Sequence, residues 1–409
     1  MHAAVLLLHY SCPPVVGGVE EIVRQQAELL HRHYHPVKII AGMGSTFSAE
    51  IPVEINPLLR SNHPEIAKIS GEHSFEQPRL EEFTERIYRY LLQAAVGWDF
   101  IVAHNVLSMP YNLPLTLALK RLAEDAGKNI IAWNHDSPYF YKNYPDYLNS
   151  TPWTVLKTPS RPIKYVTISE SRSREFQELY GLAEPLEWIP NGIDPFRFFR
   201  LDTATVRLIM EERLFEAELL LVQPSRLHPR KNIELSIRVL AALRQRGVDA
   251  RLLLTGAHDP HEKNATRYLK KLLTLAADLQ VGRGLLIMAN YRFQSGEQLS
   301  ADRVTMRDLY QISDILFLPS KIEGFGIPLL EAGMIKLPVM CSDIPPFRSI
   351  GGENVVYFSL QESPEQIAGR MLKILQEQKV HRHFRNVIRH YVWDQIYEER
   401  LKALLSLPK

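Results

Sequence analysis

The chain has 409 residues, more than one hydrophobic core usually holds, so its length predicts two domains of about 200 residues each. Its composition is 45% hydrophobic and 23% charged, and its formal net charge of +2 argues against a nucleic-acid partner, which would require a clustered basic face. The chain has two cysteines, Cys12 and Cys341, which lie far apart in the sequence, and this excludes a disulfide framework.

The N-terminal apolar run, Ala3 to Leu8, stops at His9 and has no basic segment before it. We therefore expect a buried first strand there and not a secretory signal. No stretch of the sequence approaches the roughly 18 apolar residues that span a bilayer. The expectation is a cytoplasmic protein, peripheral to the inner face of the membrane if it contacts a membrane at all.

Short apolar runs alternate with longer amphipathic ones along the first half. The runs are continuously hydrophobic, as in parallel strands that are covered on both faces. The helix that begins near Val19 carries Ile22, Val23, Ala27 and Leu30 at helical spacing. The six predicted strands are residues 3–9, 36–42, 98–104, 129–134, 164–169 and 186–190.

The second half repeats this alternation. One of its helices has Ile233, Ile237, Leu240 and Ala241 on one face and ends at Gly247. The six predicted strands are residues 219–223, 251–256, 285–290, 314–320, 338–343 and 355–359.

Two sets of strand–helix units predict an α/β protein with two doubly wound, Rossmann-like domains and right-handed crossovers. The prolines and glycine of residues 189–198 mark the boundary between them. We expect domains at 1–190 and 191–380, followed by helices at 381–409. Ligands of such sheets bind beyond the carboxyl ends of the strands, and two such domains that face each other would place both sets of loops on a central cleft.

Two loops that follow strands lead directly into a helix. One of them contains two glycines and the other contains two cations. Gly17 and Gly18 directly precede the first helix, where amides and the helix dipole favour an anion. A plain tight turn is the alternative, and a lone pair of glycines favours it. Arg226 and Lys231 occupy the corresponding loop of the second half and suit a diphosphate. Ordinary surface charge is the alternative for these two cations.

The segment SKIEGFGIPLLEAG, residues 320–333, follows a predicted buried strand. Pro328 suits the first turn of a helix, so the amides of Gly324, Phe325 and Gly326 are predicted at a helix N-terminus, available to phosphate or sugar oxygens. Glu323 lies before the helix. Glu331 lies about one turn inside it, where a carboxylate can accept hydrogen bonds from a vicinal diol.

Two histidine features lead to different expectations. His135 follows the strand NIIAWN and is expected at the same sheet edge, where a neutral imidazole can donate a hydrogen bond and its carbonyl can steady positive charge. A core histidine is the alternative. The run His31–His35 lacks a nearby carboxylate or cysteine, so we expect a polar helix end there and no metal site.

Taken together and in order, the segments VVGGVEE, IPNGID, SRLHPRKN, SDILFLPSKIEGFGIPLLEAG and LPVMCSD resemble the successive motifs of retaining glycosyltransferases of the family-4 type, which have the GT-B fold. The resemblance covers nearly the whole chain. Its most specific element is the glutamate pair, Glu323 and Glu331. The final segment, residues 391–405, is similar to the helix with which this family returns to its N-terminal domain.

The resemblance implies a role for each of these loops. Arg226 and Lys231 would hold the donor's pyrophosphate, Glu331 the ribose hydroxyls, and Glu323 with the amides of Gly324, Phe325, Gly326 and Ile327 the sugar. His135 would contact the sugar near its reacting carbon, and Gly17 and Gly18 would close over the phosphates. The base would rest near Asn290, Tyr291 and Arg292. The catalytic set implied is His135, Arg226, Lys231 and Glu323, with the first domain on the acceptor side.

The chain also departs from the family pattern. Pro224 and Ser225 precede Arg226, where glycine is usual, and Pro345 and Pro346 stand where many members have glycines. An unusually aromatic loop follows His135. Its rings either stack on an acceptor, with Tyr139 and Tyr141 as candidates, or pack the loop. The aromatic residues are Tyr139, Phe140, Tyr141, Tyr144 and Tyr147.

The expected activity is metal-independent, retaining transfer of a hexose, mannose or glucose, from a GDP- or UDP-linked donor to the hydroxyl of a small-molecule, glycan or lipid-linked acceptor. No further cofactor is expected. The alternatives are a nucleotide-sugar epimerase or hydrolase of the same fold, and a catalytically silent protein that binds a sugar nucleotide. The sequence does not distinguish the base, the sugar or the acceptor.

Overall fold

The computed structural model describes residues 2–69, 76–256 and 265–406. The chain forms two compact units, Met1–Asp194 with His390–Lys409, and Pro195–Arg389. The bounds expected from the sequence are 190/191 and 380/381. The helix Lys379–His390 packs on the second unit, where its buried Arg385 faces the buried Asp314 at 3.8 Å.

The first unit is built on a parallel sheet whose order is β3-β2-β1-β4-β5-β6-β7. The chain direction across the sheet reverses between β1 and β4, which makes their carboxyl ends the switch point. The strands are β1 Val5–His9, β2 Val37–Ala41, β3 Val53–Ile55, β4 Phe100–His104, β5 Asn129–Asn134, β6 Lys164–Thr167 and β7 Glu187–Trp188.

All six strands predicted for this half are confirmed, but β3 was not predicted. It has three residues, lies at the sheet edge and is partly exposed, with Glu54 at its centre. Pro52 precedes it and a 3₁₀ turn at Pro57 follows. A strand this short and polar carries no hydrophobic run, so no pattern in the sequence indicated it.

The second unit repeats the architecture with a parallel sheet of order β10-β9-β8-β11-β12-β13. All six strands predicted for this half are confirmed, and the switch point lies between β8 and β11. The strands are β8 Leu219–Gln223, β9 Ala250–Leu254, β10 Leu285–Ile287, β11 Ile315–Leu318, β12 Val339–Ser342 and β13 Val356–Phe358.

Helices connect and cover the strands. In the first unit, up to the boundary, they are α1 Gly18–Arg32, α2 Pro64–Ile69, α3 Gln77–Ala94, α4 Leu113–Ala126 and α5 Glu170–Tyr180. In the second they are α6 Pro195–Phe198, α7 Thr203–Glu212, α8 Ile233–Gln245, α9 Ala265–Asp278, α10 Arg303–Ile312, α11 Ile327–Met334, α12 Pro345–Gly351, α13 Pro364–Glu377 and α14 Lys379–His390. The C-terminal segment comprises α15 Trp393–Ile396, a π-helical turn Tyr397–Leu401 and α16 Lys402–Leu404.

Each sheet is buried on both faces. In β1, Leu6 and Leu8 belong to one hydrophobic cluster and Val5 and Leu7 to another, and all four side chains are fully buried. The strands of the second unit divide between two clusters in the same way. This explains why the strands were recognisable as continuous apolar runs.

The C-terminal segment, from His390 onward, packs on the first unit. The indole of Trp393 donates to Gln25 at 2.5 Å and lies against Gly192, where a Cβ would meet the ring at 2.5 Å. His33 lies 3.0 Å from Asp394, and His35 lies 2.8 Å from the hydroxyl of Tyr397. The histidine run therefore docks this segment. Within the described part of the chain, no helix combines the length and apolarity needed to cross a bilayer.

Candidate active site

Two loops at the switch point of the second sheet bring together a cation and a carboxylate that the sequence singled out. Lys231 closes the loop after β8, and Glu323 lies in the loop after β11. The Lys231 ammonium makes an ion pair with Glu323 Oε1, which also accepts a hydrogen bond from Ser320 at 2.7 Å. Both side chains are largely buried, 17% and 12% exposed, so the pair is better shielded from solvent than a surface ion pair.

Hydrogen bonds fix the two loops to each other and to the sheet. The amide of Lys321 donates to the carbonyl of Arg230 at 2.8 Å, which joins one loop to the other. Gln223, the fully buried last residue of β8, donates to the carbonyl of Lys231 at 3.1 Å and accepts from Ser236 on α8 at 2.6 Å. The backbone of Lys231 is therefore fixed by Gln223 at the end of β8, and Gln223 is in turn fixed by Ser236 of α8.

The glycine-containing turn forms the start of α11, as predicted. Gly326 has a φ of +116°, in the left-handed region, and a Cβ there would lie 3.0 Å from the ring of Phe347. Both constraints favour glycine. The helix begins at Ile327 with Pro328 in its first turn. Because the first amides of a helix have no intrahelical acceptor, the turn presents donors at the positive end of the helix dipole.

Glu331 lies one turn inside α11, on an exposed position. Its Oε2 accepts a hydrogen bond from the hydroxyl of Tyr310 at 2.8 Å. Burial, and then this hydrogen bond to a carboxylate, raise the pKa of Tyr310, so the phenol remains a donor at neutral pH. One carboxylate oxygen is thus oriented by the protein, and the arrangement suits a carboxylate that accepts from a pair of ligand hydroxyls.

Arg226 lies exposed in the same loop as Lys231. The backbone before it is anchored, because the carbonyl of Ser225 accepts from the hydroxyl of Thr255 at 2.9 Å and from the amide of Gly256 at 3.0 Å. Those two residues follow β9. The loop after β8 is therefore joined on one side to the residues after β9 and on the other side to the residues after β11.

The residues expected near the base of the donor nucleotide follow β10, at the carboxyl edge of the second sheet. They are Asn290, Tyr291 and Arg292. Tyr291 donates to Glu212 on α7 at 2.8 Å, and Arg292 donates to the carbonyl of Gly296 at 3.2 Å. Asn290 is exposed. Tyr291 is thus engaged with α7, while Asn290 and Arg292 lie at the surface.

In the first unit, His135 belongs to a group of three histidines at the ends of three neighbouring strands. His9 ends β1, His104 ends β4, and His135 follows β5 directly. His104 Nδ1 lies 3.3 Å from His135 Nε2, and His9 Nδ1 lies 2.7 Å from the carbonyl oxygen of His104. The imidazoles are buried, with exposed fractions of 5%, 0% and 8% for His9, His104 and His135.

Burial keeps these imidazoles neutral. It lowers the pKa of His135 to about 3, and the nearby imidazole of His9 disfavours a second proton in the group. Burial, and then the neighbouring imidazoles of His135 and His9, hold the pKa of His104 well below its usual value. Burial also lowers the pKa of His9, although Glu20 and the His104 carbonyl oppose the shift. All three can therefore act as neutral hydrogen-bonding groups at pH 7.

Asn105 fixes the backbone of His135. Its side-chain oxygen accepts from the amides of His135 at 3.0 Å and Asp136 at 2.9 Å. Asn105 has a φ of +53°, in the left-handed region, where asparagine is tolerated better than most residues. The sequence prediction included His135 but not Asn105, His9 or His104. The two histidines were visible only as the last residues of predicted strands.

The glycine loop of the first unit is shaped around Glu20. Helix α1 begins at Gly18 and Gly17 is its N-cap. The Glu20 carboxylate folds back into the space that a Cβ on Gly17 would need, and it accepts from Ser11 at 2.5 Å. Gly17 has an extended backbone, so no backbone strain favours glycine there. A Cβ on Gly18 would meet nothing within 4 Å.

The aromatic loop after β5 is mostly packed. Tyr139 donates to the carbonyl of Leu148 at 2.5 Å, and burial raises its pKa to about 12. Phe140, Tyr144 and Tyr147 also pack against the core of this unit. Tyr141 differs, because it is 55% exposed and its hydroxyl donates to Asp136 at 2.6 Å. The contacts favour packing for Tyr139 and leave Tyr141 accessible, with its hydroxyl on Asp136, the residue after His135.

Two family models match the chain. Residues 16–197 match Glycosyltransferase Family 4, and residues 207–391 match Glycosyl transferases group 1. The chain is a glycosyltransferase of the family-4 type. The expected GT-B fold class, with two doubly wound Rossmann-like domains, is confirmed.

The relatives include transferases of known name. A mannosylglucosylglycerate synthase of Petrotoga mobilis is 24% identical over 370 residues, 84% of this chain and 83% of the relative. The synthase of the same name from Thermotoga maritima is 26% identical, with 84% and 82% covered. The serotype-specific mannosyltransferase WbdA of Escherichia coli is 42% identical over 101 residues, 24% of this chain and 12% of WbdA.

Solved structures of glycosyltransferases align over nearly the full length. WaaG, a glycosyltransferase of lipopolysaccharide biosynthesis, is 18% identical with a TM-score of 0.35, covering 99% of this chain and 100% of WaaG. HepE from Anabaena in complex with UDP-glucose is 17% identical with a TM-score of 0.39, covering 99% and 100%.

Proposed function

We propose that this glycosyltransferase moves a hexose, mannose or glucose, from a GDP- or UDP-linked donor to an acceptor hydroxyl with retention of configuration and without a metal ion. The observation that carries the proposal is the convergence of Lys231, Glu323 and the N-terminus of α11 at the switch point of the second sheet. The names of the relatives support a hexose, because they include mannosylglucosylglycerate synthases and a GDP-mannose-dependent mannosyltransferase.

The donor's diphosphate would be held by Arg226, Lys231 and the amides of the glycine turn. Its negative charge grows as the bond to the sugar breaks, and preorganised cations and amides stabilise such charge without reorganising. Lys231 already faces Glu323, so an arriving phosphate would share the ammonium with a carboxylate that is held in place by Ser320. Because the loop itself supplies two cations, charge neutralisation by a metal is not required in this proposal.

The sugar and the ribose would be recognised by carboxylates and amides of the same loop. Glu323 and the amides of Gly324–Ile327 would bind the hexose hydroxyls, and Glu331, with one oxygen oriented by Tyr310, would bind the ribose diol. The base would lie beside Asn290, Tyr291 and Arg292. A site that hydrogen-bonds substrate hydroxyls discriminates strongly against analogues that lack them.

The first unit would serve the acceptor and the reacting carbon. We propose that neutral His135 donates a hydrogen bond to the donor sugar and that its carbonyl steadies an oxocarbenium-like transition state. Gly17 and Gly18 would approach the phosphates, and exposed Tyr141 would contact the acceptor. Tyr139 would contribute to the acceptor site by holding the loop in place. The first unit is thus the acceptor side and the second the donor side.

The proposed reaction balances without a covalent enzyme intermediate. The acceptor oxygen forms a bond to the anomeric carbon on the face from which the nucleoside diphosphate departs. The bond from that carbon to the phosphate oxygen breaks, its electron pair stays with the diphosphate, and the acceptor proton passes to the same phosphate oxygen. Glu323 acts in this scheme as a hydroxyl-binding group and not as a nucleophile.

A donor panel followed by product analysis tests the proposal. The chain is incubated with GDP-mannose, UDP-glucose and ADP-glucose and with candidate acceptors that include glucosylglycerate and simple mannosides, with EDTA present. Proton NMR of the product should show the donor's own anomeric configuration. Arg226→Ala should lower kcat by roughly 100-fold, the scale for one preorganised donor group, while Arg230→Ala, an exposed residue of the same loop, should not.

The same experiment identifies the competing activities. Inverted product, or activity that EDTA abolishes, would contradict the proposed mechanism. Free sugar or isomerised nucleotide sugar without any acceptor product would identify a hydrolase or an epimerase. Donor binding without turnover for every acceptor would identify a silent binding protein. Unchanged activity of Arg226→Ala would remove that residue from the site.

A further inference from the structure

His104 faces the histidine to which the proposed function gives a direct role. The side chain of His104 is fully buried. Its Nδ1 lies 3.3 Å from Nε2 of His135. We propose that His104 is a positioning residue that fixes the tautomer of His135, so that His135 carries its proton on Nδ1 and offers that N–H to the donor sugar. The catalytic consequence rests on the proposed function, but the tautomer itself does not.

Only one proton can occupy the contact between the two rings. Both imidazoles are neutral, because burial lowers the pKa of each, and a neutral imidazole has one N–H and one bare nitrogen. Either His104 Nδ1–H donates to His135 Nε2, or His135 Nε2–H donates to His104 Nδ1. The two choices place the proton of His135 on opposite nitrogens.

The second nitrogen of His104 decides between them. His104 Nε2 is buried and has no hydrogen-bond partner among the described residues. If the proton were there, a buried N–H would be left without an acceptor, which is rarer in proteins than an unsatisfied acceptor. With the proton on Nδ1, His104 leaves only a bare lone pair unsatisfied. His104 therefore donates, and His135 Nε2 accepts.

The fold holds His104 in the orientation that this contact needs. It is the last residue of β4 and pairs in register with Trp133 of β5, two residues before His135. The imidazole is stacked with the indole of Trp133, with a centroid distance of 5.7 Å and an interplanar angle of 28°. The His104 carbonyl oxygen lies 2.7 Å from His9 Nδ1. Both the ring and the backbone of His104 are thus constrained.

Two substitutions separate this role from a merely structural one. Asparagine at position 104 keeps an amide N–H near the place of Nδ1, whereas alanine removes the donor. We expect His104→Ala to lower kcat by about 10–100-fold, as losses of groups that orient functional histidines do, with KM for the donor within about twofold. His104→Asn should keep kcat within about threefold of the wild type.

The tautomer can be measured without any substrate. The full-length protein is labelled with ¹⁵N-histidine, and two-bond ¹H–¹⁵N spectra distinguish protonated from bare ring nitrogens. The His135 signals are assigned as those that disappear in His135→Gln. We expect the wild type and His104→Asn to carry the proton on Nδ1 of His135, and His104→Ala to show it on Nε2 in a substantial fraction.

A wild-type spectrum with the proton of His135 on Nε2 would overturn the inference, and so would an unchanged tautomer in a folded His104→Ala. If His104→Ala does not fold, the wild type and His104→Asn decide the question. Since these spectra need no donor, failure of the proposed transfer reaction would leave the tautomer result standing, and the two failures can be told apart.

Discussion

The buried, neutral histidines of the first unit predict that acid destabilises this unit. A histidine whose pKa is lowered by folding binds a proton in the unfolded chain at a pH where the folded protein does not. For His135 the window runs from the ordinary value of 6.5 down to about 3. Its contribution to stability is complete above pH 6.5 and is lost progressively as the pH falls through that window.

The magnitude follows from proton linkage. Consider one histidine with a pKa of 6.5 in the unfolded chain and about 3 in the folded protein. When the pH falls from 7 to 5, this histidine lowers the free energy of unfolding by about 2 kcal/mol. His104 and His9 shift in the same direction and add to the loss. Replacing His135 by glutamine removes its share while keeping a polar atom near the place of Nε2.

Tryptophan fluorescence makes the measurement specific for the first unit. All five tryptophans, at positions 98, 133, 153, 188 and 393, belong to that unit. Urea unfolding followed by this fluorescence at pH 7 and pH 5 gives the loss of stability for each variant. The loss should be about 2 kcal/mol smaller in His135→Gln than in the wild type. His31→Gln, which removes a more exposed histidine of the same unit, serves as the control.

Parallel pH dependence of the wild type and His135→Gln would refute the reasoning. It would mean that His135 is either protonated in the folded state near pH 6 or hydrated more than its burial indicates. Because the comparison uses the difference between two pH values, a constant loss of stability caused by the substitution itself would not affect the conclusion.

Two further predictions concern the glycine turn and the glutamate after it. Gly326→Ala should lower the free energy of unfolding by about 1–3 kcal/mol and weaken donor binding, because Gly326 has a positive φ and lies close to the ring of Phe347. Gly324→Ala is the control and should keep the wild-type melting temperature, because a Cβ at Gly324 meets nothing within 4 Å. Glu331→Gln should weaken donor binding by roughly 10-fold in calorimetry, on the scale of a charge-assisted hydrogen bond. Equal affinity in that variant would assign the ribose elsewhere.

The elements that the sequence predicted are those with a strong physical pattern. Strands such as β1 and β11 are buried on both faces and therefore read as unbroken apolar runs. The start of α11 was readable because Gly326 and Pro328 have distinct backbone preferences. Edge strand β3 had neither property. Its three residues are held by pairing with β2, which involves residues distant in the chain.

The site was predicted in part, and for a similar reason. Lys231 and Glu323 could each be assigned to a loop after a strand, but their direct ion pair depends on the sheet order β8-β11, which joins strands far apart in sequence. The histidine group was missed because His9 and His104 each end an ordinary apolar run. They acquire meaning only when β1, β4 and β5 are placed side by side.

The central claim is that the loops after β8 and β11 form a donor site. Calorimetric titration of a nucleotide sugar tests this claim most directly. GDP-mannose or UDP-glucose should bind the wild type with one-to-one stoichiometry. Lys231→Met should bind at least about 10-fold more weakly, since it removes a charged contact to phosphate, while Lys321→Met, an exposed lysine of the neighbouring loop, should bind as the wild type does. Equal affinity of Lys231→Met and the wild type would contradict the account.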